Sequence, residues 1–310
     1  QRRENDLVLG TFGRGILILD DYSPLRTVDT AMLESGSTLF SVKDAFMYIP
    51  AVPMGIRGKA FQGDGFFTAP NPPYGAVFTY YLADEIETLT KARLKRESEV
   101  RQEGGDVFYP SWDELREEDR EEDPVILLTV RDEDGTVVRR VEGPVTAGFH
   151  RIAWDFRYPA ADPVNLKPAD PGPFASPPRG PLAAPGSYSV SLASRVRGEV
   201  TELSGPQTFK TVPLGAAKLP AEDREALEAF LLKAGRLNRA VLGANRSLSE
   251  ALTRINHLKK GIDETPGASP ELAARVRRLE SDLKDAQILL TGDRTISRRN
   301  EPTPPSITGR

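Results

Sequence analysis

The chain has 310 residues, 28% of them charged, and its net charge of −4 and pI of about 5.5 leave no overall basic field to attract nucleic acid or an anionic membrane. It holds no cysteine and only two histidines, so disulfides, thiolate chemistry and Cys-based zinc sites are excluded and a His-cluster metal site is not expected. No apolar run approaches the roughly 20 residues needed to cross a bilayer as a helix, and the length suits two or three domains with their own cores.

The opening run Asp6-Leu-Val-Leu-Gly-Thr-Phe-Gly-Arg-Gly-Ile-Leu-Ile-Leu-Asp-Asp21 predicts two strands, Leu7–Thr11 and Gly15–Leu19, joined by a tight turn that holds Gly13. A lone hairpin is marginal in water, and this one is almost continuously apolar, so it must pack against something large. Only Gln-Arg-Arg-Glu-Asn and Asp6 stand before it, without an initiator Met. The expectation is therefore a piece of a longer protein, cut inside a β-rich domain whose last part is residues 1–24.

Residues 25–74 read as an irregular connector laid over neighbouring domains. It is rich in Gly, Pro and Phe, with apolar pieces at Leu39-Phe40 and Ala45–Tyr48 and with Phe61, Phe66 and Phe67. Residues 75–213 predict an all-β domain. Its strands are Ala76–Leu82, Val125–Arg131, Thr136–Val141, Phe149–Phe156, Ser187–Ser194 and Val200–Val212. Alternating apolar and polar residues in Val125–Arg131 and Ser187–Ala193 mark one buried and one wet face, as in a sandwich. Asp132-Glu-Asp-Gly135 supplies the turn of a hairpin. Six or seven strands in about 100 residues suit an immunoglobulin-like fold.

Two insertions interrupt that domain. Residues 85–123 are highly charged and predict a solvent-exposed helical hairpin, with Ser111 and Glu114 spaced as a capping box. Residues 158–185 contain nine prolines and predict a long loop without regular structure.

Residues 220–292 predict an antiparallel helical hairpin. Leu227, Phe230, Ala234, Leu237, Val241, Ala244, Leu248, Ala251, Ile255, Leu258 and Ile262 step by three and four, as do Leu272, Val276, Leu279, Leu283, Ala286 and Leu290. Each series makes one narrow, coiled-coil-like seam. Gly261 and Pro266-Gly267 stop the first helix, and Ser269-Pro270 starts the second. Leu248→Asp is expected to destabilise the hairpin. Either the two helices satisfy each other, or a third helix or another subunit shares the groove. Residues 293–310 form a Pro-rich tail without closure, and the natural chain is expected to continue.

Several residues invite a chemical role and meet a structural one. Arg14, in the hairpin turn, either faces a ligand or caps the strands. Asp132, Asp134 and Gly135 open like a calcium loop, but the later ligand positions fall on the strand Val138–Gly143 without a bidentate Glu. Trp154 reads as core and Asp155 as a turn group. Glycoside cleavage needs two carboxylates flanking a sugar, and no partner for Asp155 stands out. His150 lies on a strand, and His257 flanks the helical seam. No Gly-x-Ser-x-Gly elbow is present. Gly63-Asp-Gly65 and Gly104-Gly105 lack the strand–loop–helix setting of a phosphate loop. The acidic run Glu114–Asp123 is either a solvated face or an arm for a basic partner. No catalytic, cofactor or metal residue is assigned.

The run Leu7–Asp21, followed by Leu25-Arg26, Leu39-Phe40 and Ala45, resembles the closing blade and exit of bacterial sortilin-like β-propellers with neuraminidase-type (BNR) repeats, which often carry a glycosyl-hydrolase label. Phe12 stands where that family commonly has His. Val130–Arg139, Ala147–Asp155 and Pro185–Tyr188 resemble the immunoglobulin-like module that follows, and also modules of flagellar hook-capping proteins. Gly292-Asp293 and Arg299–Pro302 resemble the family's tail. The resemblance implies a propeller ahead of Gln1, export to the periplasm or the cell exterior, and a protein partner or the chain's own propeller as the surface bound. It does not imply catalysis, because a sialidase-like site needs an arginine cluster, a tyrosine–carboxylate pair and an acid at a propeller's centre, and the Ser-x-Asp-x-Gly-x-Thr-Trp box is lacking here. The expected role is a non-catalytic scaffolding and interaction region. The rival readings are an accessory region of a glycoside hydrolase, with its site on the missing propeller, and a glycan-binding module.

Overall fold

The computed structural model describes residues 5–50, 71–164, 178–214 and 221–308. Expectations for Phe61, Phe66, Phe67, Gly63-Asp-Gly65 and residues 165–177 of the Pro-rich loop lie outside them. The protein is mixed α and β, with three sheets and C-terminal helices among the described residues. In chain order its elements are β1 (Leu7–Thr11), β2 (Gly15–Leu19), α1 (Ser23–Arg26), α2 (Thr30–Glu34), β3 (Ser37–Leu39), β4 (Ala45–Met47), β5 (Ala76–Leu82), α3 (Leu89–Gln102), α4 (Trp112–Arg120), β6 (Val125–Arg131), β7 (Val137–Gly143), β8 (Gly148–Trp154), β9 (Ser187–Val196), β10 (Glu199–Pro213), α5 (Ala221–Asp263), α6 (Pro270–Thr291) and α7 (Arg294–Ser297). They divide into two compact units, residues 1–158 with 182–221, and residues 159–181 with 222–310.

In the first unit, a five-stranded sheet runs β4-β10-β9-β6-β7 and a three-stranded sheet runs β3-β5-β8. Both feed one hydrophobic core. Alternation does the sorting: Phe78, Tyr80 and Leu82 from β5, Ile126, Leu128 and Val130 from β6, and Tyr188, Val190 and Leu192 from β9 all point inward. Trp154, only 1% exposed, is the core's largest side chain and packs edge-on against Phe156, Tyr188 and Phe209. Its indole Nε1 donates to the Arg157 carbonyl at 3.0 Å, so burial leaves no orphan donor there. The Tyr80 hydroxyl donates to the Pro144 carbonyl at 2.6 Å, and burial pushes its phenol well above the ordinary value. Gly75 is required by sterics: at φ +130° a Cβ there would lie 2.1 Å from the Trp154 carbonyl oxygen.

The stretch expected to be an irregular connector departs from that reading. Its described part supplies two short strands, β3 pairing antiparallel with β5 and β4 pairing parallel with β10. Leu39, Phe40, Ala45 and Met47 are buried. Three-residue strands leave no readable period; pairing with distant strands makes them. Asp132-Glu-Asp-Gly135 forms the turn between β6 and β7, with Gly135 at φ +78° and Asp132 Oδ1 accepting the Thr136 amide at 2.8 Å.

The charged insertion folds as α3 and α4, neither with a buried residue. Gly104-Gly105 ends α3 in a Schellman cap: Gly104, at φ +79°, donates to Arg101, and Gly105 donates to the Val100 carbonyl. Ser111 and Glu114 form the reciprocal capping box of α4.

In the second unit, α5 runs through Gly261 to Asp263, and Ser269 caps α6 with Pro270 in its first turn. Lys259 Nζ meets Glu280 Oε2 at 2.8 Å, which ties the two helices back to back. The seam keeps Val241, Leu248, Ala251, Ile255 and Ile262 of the expected series in α5 and Val276, Leu283, Ala286 and Leu290 in α6, and widens to one side of it. In α5 the inward stripe is Val241, Asn245, Leu248, Ala251, Leu252, Ile255, Lys259 and Ile262; in α6 it is Ala273, Val276, Glu280, Leu283, Ala286, Gln287 and Leu290. Leu258, Leu272 and Leu279 face outward, each about half exposed. The Lys259–Glu280 ion pair occupies two seam positions that an apolar count skips. Lys259 and Lys284 both bond Glu280 and hold its carboxyl down to about 2.

The 22 residues of α6 reach along only part of the 43 in α5, roughly 33 Å against 64 Å at 1.5 Å per residue. Leu227, Phe230 and Leu237 in the first half of α5 are exposed. The described start of the Pro-rich loop has no regular structure and is held by α5, with Arg239 donating to the Ala160 carbonyl and Arg246 to that of Val164. The tail, expected to be open, contains α7 and then returns to α6, where the Ile307 and Thr308 amides donate to the Leu289 and Leu290 carbonyls.

Candidate functional site

The feature that the fold leaves unsatisfied is the β1–β2 hairpin. Its antiparallel register pairs Leu7 with Leu19, Val8 with Ile18, Leu9 with Leu17 and Gly10 with Ile16. Successive side chains point to opposite faces, so Leu7, Leu9, Leu17 and Leu19 share one face and Val8, Ile16 and Ile18 the other. Every residue of both strands is exposed. A surface strand normally carries an apolar face and a polar one; here both faces are apolar, the pattern of strands covered on both sides. Neither strand has a neighbour on its outer edge among the described residues, and an uncovered apolar edge invites pairing with another chain.

The turn is built to hold its shape. Gly13 at φ +74° and Gly15 at φ +94° take left-handed conformations, and the Thr11 hydroxyl donates to the Gly15 carbonyl at 2.7 Å. Phe12 stands fully in solvent at the tip, and Arg14 beside it is exposed. The base is anchored as firmly. Arg151 on β8 donates to the carbonyls of both Asp20 and Asp21, the Asp21 amide donates to Asp6 Oδ1 at 2.9 Å, and the Tyr22 amide to the Asn5 carbonyl at 2.9 Å. Among the described residues the hairpin is held at its root and exposed along its length.

A cavity of about 550 Å3 lies at that root, lined by Asp6, Asp20, Asp21, Lys43, Asp44 and Arg151 with Phe46, Tyr48 and Val77 among the apolar walls. Three of these carboxylates already bond the chain: Asp6 accepts from the Asp21 amide, Asp21 from the Ser23 amide and hydroxyl, and Asp44 from the Lys210 amide. Among the described residues, no group of three or more His, Asp or Glu side chains is placed to hold a metal ion.

The other sequence candidates scatter. Asp155 Oδ1 accepts the Arg157 amide at 3.3 Å, a turn role beside the buried Trp154. His150 lies against the Tyr80 ring at 5.0 Å between centroids, and its Nε2–H donates to the Thr146 carbonyl at 2.6 Å. His257 is exposed on α5, in the other unit. The acidic run of α4 is bound into the insertion: Glu118 accepts two bonds from Arg93, which hold its carboxyl below the ordinary range, and Glu121 accepts the Leu89 amide. Sequence reasoning passed over Phe108, Tyr109 and Trp112, exposed in the same insertion. Three large aromatics in five residues of an otherwise charged stretch were the available signal.

No family model matches the chain, and no curated protein matches it either. No described helix is long and apolar enough to cross a membrane.

Proposed function

We propose that this chain is a non-catalytic scaffolding and protein-interaction region, and that its β1–β2 hairpin completes the last blade of a sortilin-like β-propeller in an exported protein. One observation carries the reading: a hairpin held at its root, with exposed apolar side chains on both faces and no covering strand or helix among the described residues. Burying the exposed remainder of those side chains contributes on the order of 10 kcal/mol before ordering costs, enough for tight seating. Propeller blades offer that setting, because each sheet is sandwiched between two others. The two sheets around Trp154 support an immunoglobulin-like module behind the hairpin, in keeping with the resemblance of Val130–Arg139 and Ala147–Asp155. Export follows from the same resemblance.

The test begins with the coding sequence ahead of Gln1, which the proposal expects to encode propeller repeats. Those repeats, produced separately and mixed with this chain, should form an equimolar complex in size-exclusion chromatography. The paired substitution Ile16→Asp and Ile18→Asp should abolish it. Absence of the repeats, or a complex indifferent to the paired substitution, overturns the proposal.

A further inference from the structure

The outward face of the five-stranded sheet carries a depression of about 470 Å3, a volume suited to a small ligand. Register builds its shape. Thr129 on β6 lies opposite Arg140 of β7 and Ser191 of β9, and Leu127 lies opposite Glu142 and Ala193. The two central strands thus lay a low floor, while longer side chains rise from β7 and from Glu202 of β10. Arg131, two residues past Thr129, and Arg195, two past Ala193, stand at opposite ends. Leu127 points away from the core and is still only 8% exposed, so the long side chains around it lie down along the sheet.

A charged outer face is ordinary on a sheet with one wet side. Arg195 is the exception within it. Its side chain is half-buried, and its Nε is sealed from solvent with no hydrogen-bond acceptor among the described residues. A buried donor left unmet is costly, more so on a charged group, and it calls for an acceptor that the described chain does not supply. Glu202 is the nearest carboxylate by register, one step diagonally across on β10, yet among the described residues no ion pair joins it to Arg195 or joins Glu142 to Arg140.

We infer that this depression is an oxyanion site, taking a small acidic ligand through its phosphate, sulfate or carboxylate group. Two oxygens of such a group match the Nε–H and a terminal N–H of Arg195, the bidentate arrangement that suits a guanidinium best. Arg140 brings a second positive charge, and the hydroxyls of Thr129 and Ser191 add donors from the floor. The buried Nε–H decides the sign of the ligand. A cation would meet Glu142 and Glu202 but carries no acceptor, and would leave that donor unmet. A neutral ligand supplies an acceptor but leaves the half-buried guanidinium charge uncompensated.

Calorimetry at constant ionic strength, with inorganic phosphate, sulfate and citrate as probes, tests the assignment. At least one should bind with a millimolar Kd or tighter, and their ranking identifies the oxyanion that the site prefers. Arg195→Lys keeps the charge but deletes the Nε donor, and should weaken that binding about tenfold. Arg140→Gln should weaken it severalfold, and Glu202→Gln should not weaken it. Stability separates a binding arginine from a structural one. Without ligand, Arg195→Leu removes an unmet donor, so it should leave the thermal midpoint of the sheets unchanged or higher while abolishing anion binding. A crystal structure with the tightest of the three anions should place its oxygens on Arg195 Nε. The inference is overturned if none of the anions binds, if binding survives Arg195→Leu, or if that substitution lowers the midpoint by several degrees, which would make the guanidinium a part of the fold. It is equally overturned if a water or Glu202 occupies Nε in that crystal structure, or if putrescine binds through Glu142 and Glu202 while the anions do not.

Discussion

Ile255→Ala and Leu258→Ala form a pair that decides where the helical seam lies. Three residues apart on α5, both belong to the apolar series that steps by three and four, yet Ile255 is 2% exposed and Leu258 is 52% exposed. Truncating a fully buried Ile removes its transfer free energy and leaves a cavity, about 2–4 kcal/mol where two helices form the walls. Truncating Leu258 removes contacts on the outside of the helix, and alanine is the better helix former, so about 0.5 kcal/mol or less is expected. In urea, the first variant should lower the unfolding midpoint by about 1–2 M and the second should barely move it. The signals separate cleanly, because every Trp and Tyr lies in the first unit. Tryptophan emission then follows the sheets, and the drop in far-UV ellipticity belongs mainly to α5 and α6. Equal losses, or a larger loss at Leu258, would refute the seam described here.

Acid should loosen the same hairpin. Glu280 is held near 2 in the folded chain by Lys259 and Lys284, against 4.5 for an ordinary glutamate. Its stabilising contribution is complete above the unfolded value and fades as pH falls from that value toward 2. Glu280→Gln should flatten the pH dependence of the helical transition in that window, and an unchanged slope would contradict the assigned ion pair. Gly75→Ala drives a Cβ into the Trp154 carbonyl at a backbone angle that L residues avoid. It should cost about 3 kcal/mol or more and red-shift the Trp154 emission as the core opens; a native spectrum and midpoint would show the close approach to be wrong.

Much of the fold is legible in the sequence where the cause is local. The strands Leu7–Thr11, Gly15–Leu19, Ala76–Leu82 and Val125–Arg131 are bounded to the residue, because alternation and turn glycines sit side by side in the chain. The capping box at Ser111 and the start of α6 at Ser269-Pro270 are equally local. What stays hidden depends on distant partners. The strands β3 and β4 owe their existence to β5 and β10. Lys259 and Glu280, which pair across the two helices 21 residues apart in sequence, take seam positions that an apolar series does not show. The hairpin's need for cover was readable from Leu-Val-Leu and Ile-Leu-Ile-Leu; its clamp by Arg151, 130 residues away from Asp21, was not. The exposed Phe108, Tyr109 and Trp112 escaped notice because charge dominated the reading of residues 85–123.

The most direct test of the central claim is amide hydrogen exchange across β1 and β2, read by mass spectrometry in this 310-residue chain alone and in its complex with the propeller repeats that the proposal expects. With no cover, the hairpin amides should exchange within seconds in the chain alone, while β5, β6 and β9 stay protected. In that complex, protection at Val8, Leu9, Leu17 and Ile18 should rise by about a hundredfold or more, which corresponds to roughly 3 kcal/mol. Rapid exchange in both, or strong protection already present in the chain by itself, would contradict the claim.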